Sequence, residues 1–249
     1  MLKLRLISLL VVALAASAWS QTVMAGTDYL MSSNGSRFLF PAPFNQMVNF
    51  MGNPTAIDPT SAGLPPSTFL GATDTIVRRL QDIDLSSGSG VTQLRMLDLA
   101  LQSVNPVFGF GTSFHVFVSL NPSIPSLGQM TVRANRTFDS DILVNFRALF
   151  VDVNNPNIRF TNDFEKRFTA TNATWTEHEV PGMPRIVFDY PDARANVHSN
   201  APANHFDFFV PDFVLHDAGD GRHVVKTTPE PGSLMALGLG LVSLIRRRK

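Results

Sequence analysis

The chain has 249 residues, with 20 basic and 20 acidic side chains, six histidines and no cysteine. No disulfide framework and no thiol nucleophile can exist, so an exported form must be held together by its core alone. Setting aside Lys3, Arg5 and the four terminal cations leaves 14 basic residues against 20 acidic ones, a mildly acidic body without the electrostatic footprint of a nucleic-acid binder.

The N-terminus carries Lys3 and Arg5, an apolar stretch from Leu6 to Ala18, and a more polar segment that ends in small residues. That order is the signature of a secretory signal peptide and implies the secretion translocon and signal peptidase as partners. Ala16-Ser17-Ala18 satisfies the small-x-small cleavage rule but abuts the apolar run. Val23-Met24-Ala25 leaves a polar spacer, so the expected cleavage follows Ala25 and the signal peptide spans residues 1–25.

Residues 26–72 contain Pro41, Pro43, Pro54, Pro59, Pro65 and Pro66, which exclude long helices. Phe38, Phe40, Phe44 and Phe50 predict an extended segment packed on the domain. The stretch from Asp74 to Leu80 fits either a strand or one helical turn.

Beyond the Ser/Gly loop at residues 86–90, period-two patterning becomes clear. Leu94, Met96, Asp98 and Ala100 fall on one face of an extended strand and Arg95, Leu97, Leu99 and Leu101 on the other. Phe114, Val116, Val118 and Leu120 alternate with His115, Phe117 and Ser119. Ile142, Val144, Phe146, Ala148 and Phe150 likewise alternate with Leu143, Asn145, Arg147 and Leu149. Asn-Pro pairs at 105–106, 121–122 and 155–156 supply turns between such runs. Further runs at 185–190, 205–210 and 213–215 complete a set of short strands. One-sided strands without helices predict an all-β domain over residues 73–226, an antiparallel β-sandwich of jelly-roll or immunoglobulin-like type. Twenty Phe against two Tyr and two Trp assigns the aromatics to packing between its layers.

At the C-terminus, Ser233 to Ile245 is apolar apart from its serines. As a helix rising about 1.5 Å per residue it covers about 20 Å, a short transmembrane span. Arg246, Arg247, Arg248 and Lys249 follow as a cluster that resists translocation, so an exported chain halts here with its body outside. Pro229-Glu230-Pro231 precedes the run as an extended, accessible strip.

Residues 227–249, with the Pro-Glu-Pro tripeptide, the Gly-rich apolar helix and the Arg cluster in this order, resemble the PEP-CTERM sorting signal of bacterial exported proteins. The resemblance implies recognition by a membrane-embedded exosortase, cleavage near Pro229, Glu230 and Pro231, and transient anchoring in the inner membrane. It further implies a cell-envelope, surface or matrix location and a link with exopolysaccharide or biofilm.

Several candidates for chemistry compete with bland readings. His198, His205, His216 and His223 gather beside Asp207, Asp212, Asp217 and Asp220, residue types suited to a divalent ion, but in no recognised ligand spacing. Asp152 to Asn157 opens like a calcium loop yet lacks its glycine and its closing glutamate. The segment from His216 to Arg222 reads as an Asp-Gly hairpin. Ser87-Gly88-Ser89-Gly90 reads as a loop before a nucleophile elbow, and Glu177 and Glu179 would share one strand face. Asn34, Asn135 and Asn172 open chance glycosylation sequons. The expectation is therefore a non-enzymatic exported structural or adhesion protein, with no catalytic, metal or cofactor residues. A carbohydrate-binding or carbohydrate-active sandwich and a calcium-stabilised surface protein stand as alternatives.

Overall fold

The computed structural model describes residues 22–33, 35–41, 44–55, 73–176, 205–206, 208, 210, 212–217 and 221–227. These contain fifteen strands and no helix. In chain order they are β1 (Thr22–Val23), β2 (Gly26–Ser32), β3 (Arg37–Phe40), β4 (Gln46–Gly52), β5 (Thr75–Arg79), β6 (Ile83–Asp84), β7 (Ser89–Ser103) and β8 (Val107–Gly109). Then come β9 (Thr112–Leu120), β10 (Ser126–Arg133), β11 (Thr137–Asp152), β12 (Arg159–Thr174), β13 (His205–Phe206), β14 (Asp212–His216) and β15 (Arg222–Thr227). The segment at Asp74 to Leu80 is thus a strand.

The pairings close on themselves. Strand β2 pairs with β5, β5 with β7, β7 with β10, β10 with β11, β11 with β12, β12 with β14, β14 with β15, and β15 returns to β2, every pair antiparallel. The result is an eight-stranded antiparallel barrel. The expected two stacked sheets are replaced by one closed wall, because β7 and β11 are long enough to serve two sets of neighbours. The first part of β7 pairs with β5 and β10, whereas its last part pairs with β4 through Phe50↔Ser103 and with β9 through Leu101↔Val118. Similarly β11 exchanges β10 for β9 along its length. Closure leaves no free edge along the ring.

Residues of the expected N-terminal segment supply β2, which joins the ring, and β3 and β4, extra strands that run from β15 to β7. Strand β7 also departs from simple alternation. Asp98 pairs with Ile76 and Met96 with Val77, which leaves Leu97 as the extra residue of a β-bulge. The bulge shifts parity, so Leu94 and Met96 and then Leu99 and Leu101 all point inward. The faces expected from a regular strand are thereby corrected. The alternation in β9 and β11 holds, with Phe114, Val116 and Val118 and then Ile142, Val144, Phe146, Ala148 and Phe150 buried.

The barrel interior is solid. At one level Phe38, Phe40, Phe50, Phe114, Phe146 and Phe150 fill it. Rings of Phe44, Phe150 and Phe160 stack in series, at 4.5 Å between the first two and 4.8 Å between the second pair. At the other level Leu30, Val77, Leu94, Met96, Met130 and Ile142 leave a void of about 30 Å³, room for about one or two waters. Phe208 closes that end, stacked on Trp175 at 5.4 Å and edge-on to Phe138. A small sheet, β13-β1-β6, lies beside it.

Candidate functional site

Antiparallel pairing fixes which loops share a pole. Strands β7 and β11 run toward the 153–158 turn, and β4 and β9 run away from it, so Phe44 and Asn45, the loop 104–111 and the turn 153–158 lie together. Strand β15 runs opposite to β7 and ends at Thr227 beside Leu30, heading toward the pole where β2 begins. Strand β15 is therefore directed away from those three loops.

The acids whose pKa values are raised, Asp28, Asp74 and Asp98, are removed from water to different degrees. Asp28 in β2 is buried against the fully buried Arg79 at 3.2 Å, and burial, opposed by the Arg79 charge, pushes it up to about 6. The Arg79 guanidinium also lies 4.5 Å over the Phe208 ring. Asp74 accepts from the Ser32 N–H at 2.6 Å, the Ser32 hydroxyl at 2.9 Å and the Thr75 hydroxyl at 2.7 Å, yet burial still raises it. The bulge aims Asp98 at Thr55, which donates to it, and burial, with the charge of Asp74 adding, raises Asp98 to about 6. The Thr75 hydroxyl in turn meets His223 Nε2 at 3.3 Å. His223, 2% exposed, packs against the Phe38 and Phe168 rings, and burial depresses it to about 4. Ser32, Asp74, Thr75 and His223 thus form a polar chain sealed within the wall, closer to a structural clamp than to a reactive triad.

The sequence candidates separate in space. His223 is in the core, His216 is exposed at the end of β14, and His198, Asp207 and Asp220 fall outside the described residues, as do the side chains of His205 and Asp212. Asp217 pairs with Lys166 at 3.2 Å and accepts the Gly221 N–H at 2.7 Å, closing the expected hairpin. No group of three or more His, Asp or Glu able to hold a metal occurs among the described residues. Asp152 caps the β11–β12 turn, accepting from Asn154 N at 2.7 Å, Asn155 N at 2.9 Å and Thr112 Oγ1 at 2.7 Å. These bonds, Thr112 foremost, hold its carboxyl below the usual range. Ser87 Oγ donates to the Ser89 carbonyl at 3.1 Å, as a loop serine does. Glu177 and Glu179 lie outside the described residues, as do Pro229, Glu230, Pro231, Arg246, Arg247, Arg248 and Lys249. Among the described residues no helix is long and apolar enough to cross a membrane. Ala25 is described, and its N–H donates to Asp82 at 2.6 Å.

One surface depression of about 430 Å³ lies on the outer wall over Gly128, between Gln93, Leu127, Gln129, Leu143 and the Asp141–Arg167 pair. The two-pronged bond from Arg167 holds Asp141 below the ordinary carboxylate range, so the groove offers no acid ready to donate a proton. None of its described lining residues is aromatic.

Sequence reasoning passed over Phe108 and Phe110. They occupy the β8–β9 hairpin tip and are 64% and 67% exposed. The cue was two phenylalanines flanking a glycine in a short Gly-containing turn.

The described residues define an antiparallel barrel whose last strand, β15, ends at Thr227 where the C-terminal segment begins. The tail has a known type: residues 227–249 match the PEP-CTERM protein-sorting motif, the C-terminal sorting signal of exosortase substrates. The motif marks an exported protein, sorted by an exosortase through membrane-associated secretion and transiently anchored at its C-terminus. No curated protein and no solved structure matches the chain.

Proposed function

We propose that the protein is a non-enzymatic structural or adhesion component of the cell surface or extracellular matrix, displayed by its barrel and delivered by its tail. The observation that carries this reading is the sorting motif at 227–249, joined to a barrel whose interior is packed with apolar side chains around one small void. Of the acids with raised pKa values, Asp28 and Asp74 are buried in the wall and Asp98 is half-buried and takes a hydrogen bond from Thr55. An association with exopolysaccharide follows from the kind of sorting system, not from a feature of the barrel.

A second reading, a carbohydrate-binding module, draws on the groove lined by Gln93, Gln129 and the Asp141–Arg167 pair. Calcium stabilisation has less behind it, since the Asp152 oxygens are engaged by the turn they cap.

Mass spectrometry of the mature protein from its own host, with fractionation of envelope and medium, tests the leading reading. The expected product ends near Pro229-Glu230-Pro231 and resides outside the cytoplasm, and replacing the tripeptide by Ala-Ala-Ala retains the chain in the inner membrane. An intact, uncut chain in the cytosol overturns it. Hydrolysis or transfer of a polysaccharide by the purified protein, abolished by Asp141→Asn, overturns the non-enzymatic part.

A further inference from the structure

Strand β12 outruns the closed ring. It pairs with β11 along its whole length, whereas on its other side the ring is closed by one residue pair, Thr169↔His216. The stretch 159–167 lies beyond that pair, and among the described residues no strand bonds its outer edge. Alternate N–H and C=O groups along it therefore point away from β11 with no strand to receive them, although each is an obligatory hydrogen-bonding group. The inward row is uncovered at the same place. Phe168 and Ala170 are buried inside the ring, but Phe160, Phe164 and Lys166 are half-buried and Asn162 is exposed. The rings of Phe160 and Phe164 touch those of Phe150 at 4.8 Å and Phe40 at 5.1 Å, and still neither is buried. Unpaired main-chain groups beside a half-covered row of side chains make a seat for one more strand.

We propose that this edge pairs antiparallel with the same edge of a second copy of the chain, about a two-fold axis at Asn162. The charges select both the occupant and the register. Asp163 is held by Arg147 at 2.7 and 3.0 Å, Arg167 by Asp141, and Lys166 by Asp217 at 3.2 Å. Arg159 and Glu165 are exposed and have no ion-pair partner among the described residues. An axis at Asn162 sets Arg159 opposite the partner's Glu165, Thr161 opposite the partner's Asp163 and, on the inward row, Phe160 opposite the partner's Phe164. Opposite-charge and aromatic cross-strand pairs both stabilise a sheet. Moving the axis one residue on sets Asp163 against the partner's Asp163 and Arg159 against the partner's Arg167, so like charges meet. A uniformly acidic or basic strand from another protein satisfies one of the two free charges and opposes the other. Two-fold pairing uses one patch twice and closes after two copies. It joins β11 and β12 of two barrels into one sheet, goes beyond the sorting reading and holds independently of it.

The test uses the full chain in a nonionic detergent. Sedimentation equilibrium is expected to show a reversible dimer. Arg159→Glu and Glu165→Arg each set like charges face to face and should raise the dissociation constant by about tenfold or more. Carrying both substitutions in one chain restores opposite charges across the axis, and the dissociation constant should return to within about threefold of wild type. A merely local effect of either substitution would add in the double variant, not cancel. The chain has no cysteine, so Asn162→Cys places one thiol of each copy on the axis, with the facing Cα atoms about 5 Å apart and within disulfide reach. Mild oxidation should link Asn162→Cys into a covalent dimer and leave Thr171→Cys, exposed on the same strand but outside the contact, unlinked. A wild-type chain that stays monomeric at its highest soluble concentration overturns the proposal. So does a dimer that neither charge reversal weakens, a double variant no tighter than the single ones, or an Asn162→Cys chain that links no faster than Thr171→Cys.

Discussion

His223 links the barrel to pH. Its imidazole is buried between Phe38 and Phe168, its Nε2 meets the Thr75 hydroxyl, and its Nδ1 has no hydrogen-bond partner among the described residues. A second ring proton has nowhere to go but an apolar wall, which is why burial depresses the group from 6.5 to about 4. In unfolded chains the ring binds its proton near 6.5, so between these values the unfolded state holds more protons than the folded one. Stability contributed by neutral His223 is therefore complete above pH 6.5, falls as the pH falls through the window, and is gone below pH 4. The gap corresponds to about 3 kcal/mol. Asp28 and Asp98 act in the opposite sense. Both are raised to about 6, so the folded state holds their protons more tightly and their contribution declines as the pH rises from 3.8 to about 6. The wild-type curve is a sum of opposed slopes, and His223→Gln isolates one of them. Urea unfolding followed by tryptophan fluorescence, for both proteins, should show the free-energy difference between wild type and variant changing by about 3 kcal/mol between neutral pH and pH below 4, in favour of the variant in acid. A difference that stays constant across that range, or an NMR titration of His223 with its midpoint at an ordinary 6.5, refutes the reasoning.

Gly52 leaves no room for a methyl group: a Cβ there would sit 1.8 Å from Asp74 Oδ2, and that carboxylate is fixed by Ser32 and Thr75. Gly52→Ala should lower the unfolding free energy by about 1–3 kcal/mol in the same urea assay. Phe150→Ala removes the middle ring of the Phe44–Phe150–Phe160 stack and should cost about 3–5 kcal/mol, visible as a lower denaturant midpoint at unchanged slope. Asp28→Leu leaves the buried Arg79 charge without its carboxylate and should cost about 3 kcal/mol or more, whereas replacing both residues by apolar ones should recover most of it. The N-terminus of the mature protein is a further test. Val23 is fully buried and pairs with Ile83 and Phe206, contacts that cleavage after Ala25 would remove and cleavage after Ala18 would keep. Mass spectrometry is expected to find Trp19 as the first residue, and Gly26 in that position would show that the barrel dispenses with β1.

The sequence alone determined the sorting tail of this protein, because a tripeptide, an apolar run and a cluster of cations are read as one linear string. It also determined the inward rows of β9 and β11, since alternation in an extended chain is a local property. Closure was a tertiary decision. Nothing in β7 or β11 announces that its two halves pair with different neighbours, because a strand's apolar face says what it covers and not which strands bond its edges. The bulge at Leu97 reversed the parity of half of β7, and only the pairing of Met96 with Val77 and Asp98 with Ile76 revealed it. His223, grouped by sequence with other histidines and aspartates, went to the core because its strand alternates inward there, while His216 on the adjoining strand stayed outside. The bare phenylalanines of the loop pole became visible only once folding had buried most of the other described ones, for exposure is a property of the whole packed chain and of no segment in it.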